Sequence, residues 1–127
     1  MPILAEGVIL FSDNAIDSIK IADMKSVAFK MKLKPGCLAE YKKRHDEIWP
    51  ALATELANAG ITGYSIFYDE ETDALFAVQK QSENNTADLL PQTEIVRKWW
   101  KFMSEIMETN PDHSPVSLPL TEVFHQD

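Results

Sequence analysis

The chain has 127 residues, 45% of them hydrophobic and 25% charged, the proportions of a globular domain rather than of a disordered or fibrous chain. A chain of this length buries roughly 65–70% of its unfolded surface and forms a core without staples. With 12 Lys and Arg against 20 Asp and Glu the formal net charge is −8, which repels phosphate backbones and argues against nucleic-acid binding.

Residues 1–23 mix short apolar pieces with acids and hold no sustained period of 2 or 3.6. They are expected to form an N-terminal extension, packed against a sheet edge or a partner as a short extra strand, ahead of a single domain over 24–127. Apolar runs such as Val8 to Phe11 are too short to span a bilayer. The first residues lack a basic stretch and carry Glu6, Asp13 and Asp17, so no secretory signal is expected. The single cysteine, Cys37, excludes an internal disulfide and a cysteine-based zinc site. A cytoplasmic, reducing setting fits this composition.

A cleaner pattern opens at Met24. Val27, Phe29, Met31 and Leu33 alternate with Ala28, Lys30 and Lys32, the period-2 signature of a half-buried strand, and Pro35-Gly36 punctuates it. From Cys37 to about Asn58 the pattern is helical, with Leu38, Tyr41, His45, Ile48 and Leu52 on one stripe. Pro50 either kinks this segment or begins a second helical piece, and Gly60 ends it. Two strands follow, Gly63 to Tyr68 and Ala74 to Gln81, joined by the acidic turn Asp69 to Asp73 as a hairpin. Ser82 to Asp88 reads as loop. A further helix runs from Leu89 or Thr93 to Met107, carrying Ile95, Trp99, Phe102, Met103 and Ile106. Asn110-Pro111-Asp112 stops it, and Leu120 to His125 is expected as a last short strand. The order strand, helix, strand, strand, helix, strand predicts an α+β, ferredoxin-like split βαβ domain: a four-stranded antiparallel sheet with two helices on one face. The uncovered face predicts a homodimer.

Three groups of side chains carry chemical potential. Tyr41 and His45 stand one helical turn apart, with Trp49 close by. Imidazole exchanges protons near neutral pH and phenol hydrogen-bonds polar ligands, although a lone histidine on a half-apolar helix face also suits a structural role. Trp99 and Trp100 point about 100° apart on their helix, so one faces the core and the other an edge or pocket. An indole face suits stacking on the C–H face of a sugar, although core and dimer packing is the reading that the pattern alone favours. On the first hairpin strand Tyr64 and Tyr68 share a face while Phe67 takes the other. His45, His113 and His125 have no metal-ligand spacing, no Ser/His/Asp arrangement is legible, and 4 glycines form no phosphate-cradling loop. No cofactor or metal is expected.

The strings YKKRHDEIWPAL, GYSIFYDEETDALFA and RKWWKFMSEIMETNPDHSPVSLPLTEVFH resemble the L-rhamnose mutarotase family, in order and from about Met24 to His125. The resemblance implies a cofactor-free isomerase that interconverts the α and β anomers of L-rhamnopyranose, with ferredoxin-like protomers pairing into a dimeric α/β barrel. It also implies that His45 is the general acid and that Tyr41, Tyr64, Trp99 and Trp100 contact the sugar. The family's hairpin can carry further hydroxyls where this chain has Phe67, which leaves the exact sugar open. Three other readings remain at this point: a mutarotase for L-fucose or a related deoxy sugar, a non-catalytic dimeric ligand-binding module, and a cofactor-free oxygenase of similar fold.

Overall fold

The computed structural model describes residues 24–127; the expected extension over 1–23, and any packing of it, lie outside the described residues. The elements in chain order are β1 (Lys25–Lys32), α1 (Leu38–Asp46), α2 (Pro50–Asn58), β2 (Ile61–Asp69), β3 (Ala74–Gln81), a 3-10 segment (Ala87–Gln92), α3 (Glu94–Met103) and β4 (Leu118–Leu120). The strands form one antiparallel sheet in the order β2-β3-β1-β4, the ferredoxin-like arrangement.

Strand β1 pairs with β3 along its whole length, from Lys25 opposite Gln81 to Lys32 opposite Ala74. Its alternation sends Met31, and Leu33 just beyond it, to the side where Leu75 and Ala77 of β3 are buried. Leu52, Val96, Trp99 and Met103 from the helices close over the same side to complete the core. Leu33 and Leu75 are almost wholly buried, each contributing roughly 1.5–3 kcal/mol by leaving water. The opposite side carries two cross-strand rows, Ser65–Val78–Ala28–Leu120 and Phe67–Phe76–Lys30–Leu118. Phe67, Val78, Leu118 and Leu120 in those rows are exposed.

Proline divides the helical stretch into two helices rather than kinking one. Trp49 is extended (φ −61, ψ 129) and Pro50 is the first residue of α2. The pyrrolidine ring disfavours the helical conformation at the residue before it, and its missing N–H is harmless in a first turn. Gly60, at φ +89, then turns the chain into β2.

The β2–β3 turn is fixed by Asp69, whose carboxylate accepts from Thr72 Oγ1 (2.5 Å) and the Glu71 N–H (3.2 Å). Near the other end of this pair the register shifts. Thr62 faces Lys80 and Ser65 faces Val78, so Gly63 and Tyr64 together oppose Gln79, as in a β-bulge. The bulge puts Ile61 and Tyr64 on the same side although they lie three positions apart.

Two expectations are corrected. Helix α3 ends at Met103, not Met107. Ile106 and Met107 remain buried because the following turn runs back along β1, Met107 bridging to Leu33 and the Lys34 N–H donating to the Ile106 carbonyl at 2.9 Å. The last strand is Leu118–Leu120, not Leu120–His125. Pro119 lies opposite Phe29 on the sheet edge, where a residue without an N–H costs no ladder bond. Beyond it Val123 and Phe124 are 92% and 77% exposed.

Candidate active site

A cavity of about 890 Å³ opens between the sheet and the helices that cover it. His45 enters it from the last turn of α1. Its Nδ1 lies 3.2 Å from the Tyr41 backbone carbonyl, one turn back. A carbonyl only accepts, so Nδ1 carries the proton of the neutral ring and Nε2 holds the free lone pair. Burial holds the imidazole pKa below its ordinary 6.5, outweighing the bond to Tyr41 and the nearby Asp46 charge, both of which raise it. The ring lies 4.3 Å from the Tyr41 ring and meets Trp99 edge-on at 5.4 Å and 88°.

Tyr41, also on α1, is buried. Burial moves its hydroxyl well above the ordinary phenol pKa, and the neighbouring Tyr64 phenol adds to the effect. Tyr64 comes from the β2 bulge and touches Phe29 edge-to-face at 6.5 Å. It remains 39% exposed along one side, yet its hydroxyl is crowded enough that burial pushes its pKa to about 12. From α3, Trp99 is buried and Trp100 half-buried, the division expected for adjacent helix positions. Both line the cavity.

All five residues to which the resemblance gives a role, Tyr41, His45, Tyr64, Trp99 and Trp100, therefore line one cavity. Trp49 is not among its lining residues; it packs behind, 5.0 Å from Trp99 and stacked on Phe102 at 5.5 Å. Phe67 lies on the opposite side of the sheet, 62% exposed. Tyr68 lines the cavity but its hydroxyl donates to Asp73 Oδ1 at 2.6 Å, and that bond raises its pKa to about 12. His113 sits in a left-handed turn (φ 71) and His125 pairs with Asp127 at 2.8 Å, neither lining the cavity.

Residues not anticipated also line it. Lys42 and Asp46, joined at 2.8 Å, stand at its exposed rim. Ser114 and Ser117 approach from the segment before β4, where Asn110 and Asp112 both hydrogen-bond Ser114. Gln79 lines it from β3; its signal in the sequence was a polar residue on the Leu75, Ala77 side of a strand. Among the described residues no three His, Cys, Asp or Glu side chains gather as a metal ion requires, and no helix is long and apolar enough to cross a membrane.

Comparison with known proteins points to one family over nearly all of the described region. A family model described as L-rhamnose mutarotase (rhaM) matches residues 26–126. An L-rhamnose mutarotase of Bacteroides thetaiotaomicron is 57% identical over 104 residues, spanning 82% of this chain and all of that protein. One from Jannaschia sp. is 53% identical over 102 residues, covering 80% of this chain and 98% of its own. The crystal structure of an L-rhamnose mutarotase from Formosa agariphila superposes with a TM-score of 0.75 at 52% identity, covering 81% of this chain and 99% of that one.

Proposed function

The chain belongs to the L-rhamnose mutarotase family, and on that premise we propose that it interconverts the α and β anomers of L-rhamnopyranose. The observation that carries this reading is the convergence of Tyr41, His45, Tyr64, Trp99 and Trp100 on one cavity.

Mutarotation takes a proton off the anomeric hydroxyl and puts one on the ring oxygen, so that the ring opens to the aldehyde. Rotation about C1–C2 and closure on the other carbonyl face give the second anomer. The reaction proceeds unaided in water, so a positioned acid–base group supplying roughly 10²–10⁴-fold is help enough. Among the residues lining the cavity, His45 is the one whose ordinary pKa lies near neutrality. Its lowered pKa keeps it neutral at pH 7, with Nε2 ready to accept. The two oxygens concerned are bonded to the same carbon, so Nε2 takes the proton from the hydroxyl and delivers it to the ring oxygen, and closure reverses the transfer. Burial raises the pKa values of Tyr41 and Tyr64, so they stay protonated and donate hydrogen bonds to sugar oxygens. Trp99 and Trp100 offer apolar faces to the C–H side of the ring and to its methyl group.

Two coarser features accompany this reading. The exposed apolar rows on the outer side of the sheet support a homodimer in which a second copy covers them. The single cysteine and the acidic composition suit a cytoplasmic setting.

The test is saturation transfer by NMR on equilibrated L-rhamnose, with L-fucose in parallel. Irradiating one anomeric proton should deplete the other in the presence of the protein and not without it. His45→Ala should abolish the transfer while circular dichroism remains that of the wild type. Absence of transfer with wild-type protein on L-rhamnose overturns the reading, and a fully active His45→Ala removes His45 from it.

A further inference from the structure

Leu75, Ala77, Gln79 and Gln81 of β3 point to the side of the sheet beneath the helices. Gln79 is 4% exposed, the one buried amide or charged side chain among the described residues. A primary amide removed from water carries a penalty unless both of its ends find partners. One end is met: Gln81 Nε2–H donates to Gln79 Oε1 at 2.7 Å. The other end, the Nε2 amide of Gln79, has no acceptor among the described residues. It belongs to a residue on the cavity wall, at the strand position that Gly63 and Tyr64 of the β2 bulge jointly oppose. A leucine there would continue the apolar row of Leu75 and Ala77 without any polar cost. The sequence instead places an amide in the wall and ties its oxygen to Gln81.

We propose that Gln79 is a specificity-determining residue of this site, its amide N–H donating to a secondary hydroxyl of the bound pyranose. The inference rests on the mutarotase reading and deepens it. His45 acts from the helical wall at the anomeric carbon, whereas Gln79 reaches the sugar from the sheet. A contact remote from the anomeric carbon is the same for both anomers and for the transition state between them, so it acts on KM and leaves kcat nearly unchanged. It discriminates because a sugar lacking that hydroxyl leaves a buried donor unpaired.

The experiment compares wild type, Gln79→Met and Gln81→Leu by anomer exchange over a range of sugar concentrations. The sugars are L-rhamnose and its 2-, 3- and 4-deoxy analogues. Gln79→Met should raise KM for L-rhamnose about tenfold, the order expected for a lost buried hydrogen bond, with kcat within about twofold. One deoxy analogue should be handled alike by wild type and Gln79→Met, which identifies the hydroxyl. Gln81→Leu, which frees the amide but leaves it in place, should raise KM by a smaller factor; this variant carries the test if Gln79→Met does not fold. Unchanged KM in both variants, or an equal loss on every analogue, overturns the proposal while the mutarotase reading stands. Failure of the wild type to exchange L-rhamnose overturns both.

Discussion

Replacing Gly60 with alanine should destabilise the domain by about 3 kcal/mol, whereas the same change at Gly36 should cost about 1 kcal/mol or less. Both glycines have left-handed backbone angles, φ +89 and φ +79, so a Cβ costs either position roughly 1–2 kcal/mol. Alanine also narrows the unfolded ensemble, which returns about 0.4–1 kcal/mol in each case. The positions differ in their surroundings. At Gly36 nothing lies within 4 Å of a Cβ, whereas at Gly60 a Cβ lands on Ser82 Oγ and within 3.0 and 3.2 Å of Asn85 Cβ and Cα. The serine hydroxyl can rotate away, but the backbone is clamped: Ser82 N–H donates to the Gly60 carbonyl and Thr86 N–H to the Ala59 carbonyl, both at 2.9 Å. Forcing a methyl into such a space costs about 1–3 kcal/mol more. Urea unfolding followed by tryptophan fluorescence measures both variants, valid if the denaturant slope is unchanged. Equal losses at the two positions would refute the reasoning, since only backbone strain would then be at work.

The buried imidazole of His45 makes stability depend on pH. Its folded-state pKa is below the ordinary 6.5, so as the pH falls below that value the unfolded chain binds the proton first. Stability should therefore fall on acidification and level off once the pH passes below the folded-state pKa, with no contribution above 6.5. Urea midpoints taken from about pH 8 to about pH 5 should slope less steeply for His45→Gln than for wild type; parallel slopes would mean the ring protonates as easily folded as unfolded. On the outer side of the sheet, Phe67→Glu combined with Val78→Glu should convert a dimer to a monomer in sedimentation equilibrium, and a wild-type protein that already sediments as a monomer would remove the dimer.

What the sequence made legible was mostly local. The β3 boundaries and the hairpin turn follow from alternation and turn chemistry, and the ring's steric demand marks Pro50 as a kink or a new start, all of which act within a few residues. The end of α3 is hidden in the sequence because Ile106 and Met107 keep pointing at the core after the helix stops, and burial alone does not distinguish a helix from a turn running along β1. The position of β4 is decided by its partner: Ala28 to Lys30 select Leu118–Leu120, and a sheet edge tolerates the proline within it. Tyr41, His45 and the tryptophan pair could be found because each constellation lies on one helix. Tyr64 showed no local spacing to α1, and Gln79 and Ser114 join the site only through sheet pairing and the segment before β4, which no short window displays.

The hydrogen bond from His45 Nδ1–H ends on a main-chain oxygen of its own helix. Many acid–base histidines are held by a carboxylate or amide side chain, which a single codon change can delete. Here the orienting acceptor is present whatever residue occupies position 41, so the tautomer that leaves Nε2 unprotonated is shielded from point substitution. What disturbs it is loss of the final turn of α1. The proton-carrying capacity of the ring is thereby tied to helix integrity, and fraying of this one turn should silence the site before the sheet or the cavity walls come apart.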